Sequence, residues 1–189
     1  IMGTAAGSNI QGSTANVFIG YYAACGDTGS TATPEGNVIR GGYAGKCNCA
    51  NSNVYIGCGA ALPAKNATRN VIIGKDAGET LDSGSDNTFI GYLAGSSTNT
   101  GEYNIFFGAK AGNTNSSGSY NIAIGGDVEL PSATGSCQFA IGKGTSRWIT
   151  GDSSFNTTLA GIATVYSATG IVSATKFCGD GSALTGTKF

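Results

Sequence analysis

Short apolar runs punctuate the chain as far as Gly142, each opened by Asn and closed by Gly, with polar stretches between them. The runs are NVFIG (16–20), NVIRG (37–41), NVYIG (53–57), NVIIG (70–74), NTFIG (87–91), NIFFG (104–108) and NIAIG (121–125). A looser copy, QFAIG, stands at 138–142, and the opening IMG matches the tail of a further one. From Gly3 the closing glycines follow at Gly20, Gly41, Gly57, Gly74, Gly91, Gly108, Gly125 and Gly142, at intervals of 17, 21, 16 and then 17 five times. Alanine recurs three residues after the glycine, at Ala6, Ala23, Ala44, Ala60, Ala77, Ala94 and Ala111, until Val128 and Thr145 break the column. The rest of each unit is Ser, Thr, Asn, Gly and Asp, which are turn residues.

A helix pair needs a repeat of over about thirty residues, so a period of 17 excludes one. Runs rich in Val, Ile and Phe favour short strands. One strand, a tight Ala-Gly bend and a polar return make one coil of an all-β solenoid, a β-roll. About nine coils are expected over residues 1–145, followed by a short β-rich junction over 146–189. With strands about 4.8 Å apart the coils would build a rod of roughly 40 Å.

Side chains along a strand alternate between its faces. The second positions are Val17, Val38, Val54, Val71, Thr88, Ile105, Ile122 and Phe139; the fourth are Ile19, Arg40, Ile56, Ile73, Ile90, Phe107, Ile124 and Ile141. These two columns share a face and are expected to fill the coil interior, where Arg40 would distort its coil. The third positions, Phe18, Ile39, Tyr55, Ile72, Phe89, Phe106, Ala123 and Ala140, face the other way. They form an apolar stripe that a soluble monomer avoids exposing. A second sheet of the same chain could cover it. The expected cover is other copies of the chain in a parallel homotrimer, which satisfies every copy at once.

The remaining columns have structural explanations. Asn16, Asn37, Asn53, Asn70, Asn87, Asn104 and Asn121 can each bond the equivalent residue of the next coil. Gly20, Gly57, Gly74, Gly91, Gly108 and Gly125 permit a positive φ or a close backbone approach.

Composition narrows the function classes. The 189 residues carry a net charge of −1, only 11% are charged, and 32 are Gly. There is no basic patch, so nucleic acid is not an expected partner. No apolar run reaches the length of a membrane span, so no membrane insertion is expected. No signal peptide is visible; because the chain opens on Ile1 rather than Met, that carries no weight. There is no His, the commonest general base. The carboxylate pairs Asp82 with Asp86 and Asp127 with Glu129 fall on turns. GKGTS (142–146) and GGYAGKC (41–47) do not fit the phosphate-loop pattern. Cys25, Cys47, Cys49, Cys58, Cys137 and Cys178 lack zinc-site spacing and read as small buried fillers. Three glycosylation sequons, at Asn66, Asn115 and Asn156, read as accidents of an Asn- and Ser-rich chain. No enzyme activity, metal or cofactor is expected.

Beyond Gly142 the 17-residue pattern ends and Thr, Val and Ile alternate loosely, which predicts short strands. Trp148, the single indole, is expected to cap the last coil, and CGDGSALTG (178–186) suits a junction.

The Asn-x-(Ile/Val/Phe)-(Ile/Phe)-Gly-x-x-Ala-Gly unit resembles repeats in tail-fibre and appendage proteins of tailed bacteriophages, notably those infecting marine cyanobacteria. It is also similar to the shorter head repeat of trimeric autotransporter adhesins, which form a trimeric left-handed β-roll. ATKFCGDGSALTG (174–186) resembles an element common in such phage structural proteins. The period here is longer than in the adhesin heads. The resemblance implies a trimeric fibre or spike on the virion surface, a tail or capsid appendage for host attachment. Its implied partners are copies of itself, other virion structural proteins, and a glycan or protein receptor on the host. The alternative is an adhesin or filament subunit at the bacterial surface. No receptor-binding residue carries over.

Overall fold

The computed structural model describes residues 1–26 and 33–159. Cys178 and the segments 174–186 and 178–186 lie outside them, as does part of the 21-residue unit. All ten strands belong to one sheet in chain order. Eight are parallel: β1 (Val17–Ile19), β2 (Val38–Arg40), β3 (Val54–Ile56), β4 (Val71–Ile73), β5 (Thr88–Ile90), β6 (Ile105–Phe107), β7 (Ile122–Ile124) and β8 (Phe139–Lys143). Parallel neighbours joined through a full return loop make a solenoid, with seven turns between β1 and β8. The count falls short of the expected nine, in part because Ile1–Gly3 contributes only an isolated bridge, Met2 to Ile19. The chain then turns back: β9 (Ser146–Gly151) pairs antiparallel with β8, and β10 (Thr157–Leu159) antiparallel with β9. At the β9–β10 connection, the Asp152 carboxylate accepts the amides of Ser154 and Asn156 at 2.9 and 3.0 Å.

Each layer is tied to its neighbours at the same positions. The second-position amide donates to the next layer's Asn carbonyl: Val71 to Asn87, Thr88 to Asn104 and Ile105 to Asn121, at 2.8–2.9 Å. The closing glycine amide donates backwards to the fourth position of the preceding layer, as Gly91 does to Ile73 at 2.8 Å. At these glycines the chain bends where two backbones touch. Gly91 has φ of 139°, and a Cβ built on it would lie 2.4 Å from the Gly108 carbonyl oxygen. Only a residue without Cβ fits there.

The interior reverses the expected facing. Phe18, Ile39, Tyr55, Ile72, Phe89 and Phe106, expected to be an interchain stripe, are buried inside the single chain, each no more than 2% exposed. The second and fourth positions point outward instead: Val17 is 46% exposed, Ile105 45% and Phe107 55%. The cause lies in the asparagine. Asn opens the strand, so by alternation it shares a face with the third position. Its amide is buried and hydrogen-bonded on both sides, which only the interior offers. Arg40, being a fourth-position residue, is exposed and distorts nothing; β2 pairs with β1 and β3 without a register shift.

The coils of Phe89 and Phe106 each bury one large residue and one small one. Phe106 stands in the coil of buried Ala111, and Phe89 in that of buried Ala94. The Phe89 and Phe106 rings stack at 4.9 Å and 6°. Where the third position shrinks to Ala123, the alanine column enlarges to Val128, and both are fully buried. The exchange restores part of the lost interior volume. Val128, a departure from the repeat, is therefore its compensation. Trp148 is 67% exposed and caps nothing; the antiparallel strand β9 closes the end.

The asparagine ladder runs the length of the solenoid. In each step the side-chain carbonyl accepts the next Asn amide: Asn37 to Asn53, Asn53 to Asn70, Asn70 to Asn87, Asn87 to Asn104 and Asn104 to Asn121, all at 2.9–3.0 Å. The side-chain NH₂ donates to a carbonyl of the next return loop, as Asn87 does to Gly101 at 2.9 Å. Replacing Asn87 by Ala strands the Asn104 amide and the Gly101 carbonyl in the interior. Each buried orphan costs about 1–3 kcal/mol. The expected loss in denaturant unfolding is therefore about 3 kcal/mol for Asn87→Ala, while at exposed Ser97 an Ala substitution is expected to stay within about 0.5 kcal/mol.

Candidate functional surface

The described residues place no conventional catalytic constellation together. Asp86 is bound bidentately by Arg69, with Nε at 2.7 Å and Nη2 at 2.6 Å. Asp82 offers its backbone carbonyl to the Asn66 amide at 2.9 Å. Lys110 approaches Asp127 at 3.6 Å, and Glu129 accepts from the Thr114 amide and hydroxyl. GKGTS (142–146) is the turn between β8 and β9, and GGYAGKC (41–47) is the bend after β2. No group of three or more His, Cys, Asp or Glu is placed to hold a metal ion among the described residues. Among the same residues no helix is long and apolar enough to cross a membrane.

The cysteines correct the expectation of buried fillers. Among the five described cysteines only Cys25 is buried, accepting the Ser8 hydroxyl at 2.9 Å. Cys47 and Cys49 are half-buried, and Cys58 and Cys137 are exposed on bends beside the strands. Of the sequon asparagines, Asn115 is buried and donates to the Gly118 carbonyl at 3.1 Å, whereas Asn66 and Asn156 are exposed.

The surface that stands out is the outward face of the sheet. Two columns of side chains run along it, one from Val17 to Phe139 and one from Ile19 to Ile141. All sixteen are half-buried or exposed, and only Thr88 and Arg40 are not apolar. In register, Ile141 pairs with Ile149, and Ile149 with Leu159. The fourth-position column therefore continues through β9 and β10, beyond the end of the repeat.

Ridges of larger polar and aromatic groups flank the columns. On the side before the strand they include Arg69, Asp86, Tyr103 and Tyr120; the two tyrosines stack at 4.8 Å and 8°. These four residues all have φ between 56° and 60°. On the side after the strand, Tyr21 and Tyr43 meet edge to face at 5.4 Å, and the Lys75 ammonium lies 5.7 Å from the Tyr92 ring. Such pairs orient the side chains while adding little to stability each.

The Asp86 carboxyl is held below the usual carboxylate range, first by the hydrogen bond from Arg69. A carboxyl depressed in the folded state stabilises it above the unfolded-state value, and the contribution is lost as pH falls through the folded value. An NMR titration of Asp86 is therefore expected to show a midpoint below that of an ordinary Asp. Arg69→Ala should return it towards the ordinary range. No protein-family model, no curated protein and no solved structure matches the chain.

Proposed function

We propose that this chain is a structural, non-enzymatic segment of a fibre or spike on a viral particle, assembled as a parallel homotrimer and used in attachment to the host cell. The observation that carries the reading is the continuity of the stack. Eight layers repeat the same backbone and asparagine bonds from Asn16 to Gln138, with a register shift only inside the closing hairpin. An element whose units contact only their neighbours along one axis is suited to transmitting force and spanning distance. The carboxylates of Asp86, Asp127 and Glu129 are engaged with neighbouring layers rather than converging on a cleft, which supports a mechanical role over a chemical one.

The partners in this reading are copies of the chain, adjoining structural proteins of the particle, and a glycan or protein on the host. The test is immunogold labelling with antibodies raised against the purified chain. Label on tail or capsid appendages is the expected result. Label confined to bacterial surfaces, with particles bare, would transfer the rod to a cellular adhesin.

A further inference from the structure

We infer that the outward sheet face is the seam along which copies of this chain pack, parallel and in register, and that the seam includes the terminal hairpin. The inference rests on the fibre reading for the number of copies and names the surface that holds them. It moves the interchain contact from the third strand position to the second and fourth.

The chemistry of the face is that of an interface. Its centre is Val, Ile and Phe, with one charge, Arg40, whose long stem lets the guanidinium reach the rim. Its edges carry Tyr, Arg and Lys. An apolar centre depleted of charge within a rim rich in Tyr and Arg is the usual anatomy of protein contacts. Nothing among the described residues of the chain lies over it: Ile105, Phe107, Ile122 and Ile124 are each at least 38% exposed.

The spacing identifies the occupant. The rows recur at the strand separation, about 4.8 Å. A partner that fills every row must carry apolar groups at that same interval over eight layers. A second copy of this chain does so by construction, and rotation about an axis parallel to the rod brings each row against its own equivalent.

The hairpin supplies an independent sign. At β10 the coil interior has ended, and all three residues of the strand are exposed. Nothing among the described residues buries this strand. The position in register with Ile149 is Leu159, 48% exposed, so the fourth-position column stays apolar past the coil interior, while the second-position column ends in Gly151 and Thr157. An apolar column that extends beyond the coil interior is what a seam between copies would use.

The experiment is light scattering coupled to size exclusion on the full 189-residue chain and two double variants. These are Ile105→Thr with Phe107→Thr, and Ile122→Thr with Ile124→Thr; threonine keeps strand preference while removing the apolar surface. Far-UV circular dichroism checks folding. The expected result is a mass of about three times 18.8 kDa for the unaltered chain and a shift towards 18.8 kDa for the variants, with an unchanged spectrum. An unaltered chain at the trimer mass, with folded variants that stay there, overturns the seam and leaves the fibre reading standing. An unaltered chain at the monomer mass overturns both the seam and the homotrimer. Loss of the β spectrum in both variants would mean that these columns are core, and would also overturn the seam.

Discussion

Gly91→Ala is expected to be among the most damaging single substitutions in the chain, for the sake of one methyl group. The glycine has φ of 139°, a conformation in which L residues are strained by about 1–3 kcal/mol. The added carbon would also sit 2.4 Å from the carbonyl oxygen and 2.5 Å from the carbonyl carbon of Gly108. These are backbone atoms of the next layer and cannot swing aside as a side chain can. Gly108 is itself fixed by its amide bond to Ile90 at 2.8 Å. Relief requires separating two layers, which also disturbs the Gly91 bond to Ile73. A loss of about 4 kcal/mol or more is expected in equilibrium unfolding, a large share of the roughly 5–15 kcal/mol that holds a typical domain. Gly126→Ala, with nothing within 4 Å of the new carbon and no unusual φ, is expected to change stability by less than about 0.5 kcal/mol.

Phe106→Ala should come close behind. The ring is wholly buried and stacked on Phe89, with Gly112 against its face and Ala111 buried in the same coil. Removing a buried aromatic side chain costs about 3–5 kcal/mol, part transfer and part cavity. The coil offers its own repair. The next layer has Ala123 where Phe106 stands and Val128 where Ala111 stands, and both are fully buried. Adding Ala111→Val to Phe106→Ala should therefore recover about 1 kcal/mol, whereas Ala111→Val alone should destabilise by overpacking, by about 1–3 kcal/mol. The four proteins form a double-mutant cycle in urea. A coupling energy of about 1 kcal/mol or more is the sign of direct opposition across the coil.

The period, the short strands, the stacking and, among the described residues, the absence of helix could all be read from the sequence, because each depends on local composition repeated at a fixed interval. The facing of the strand could not be read from hydrophobicity alone. Positions two, three and four of the run are all apolar, so alternation had no polar partner to anchor it. Asn87 and its equivalents were the anchor. Taken as a turn residue, Asn leaves the face undecided. Taken as a buried amide whose oxygen must find a donor and whose nitrogen must find an acceptor in the stack, it fixes positions one and three inside. The change from Ala to Val128 carried the same information: a small residue enlarges only where something opposite has shrunk, and that something is the third-position Ala123. Arg40 pointed the same way, since a lone charge belongs on the face that meets solvent. The antiparallel return of β9 was hidden, because GKGTS fits a loop of many kinds and nothing in the repeat foretells its own reversal. The candidate surface was legible as chemistry, an apolar stripe in need of cover, and misassigned as to which column formed it.

Amide hydrogen exchange, resolved by residue, tests the stacked solenoid most directly. The described ladder assigns the same bonded amides in every layer: the second-position residue, as in Val71, Thr88 and Ile105, and the closing glycine, as in Gly74, Gly91 and Gly108. The result expected is slow exchange at these positions recurring every 17 residues through the regular repeats, from Val54 to Gly125. Protection confined to a few layers, with no 17-residue recurrence at these positions, would contradict it.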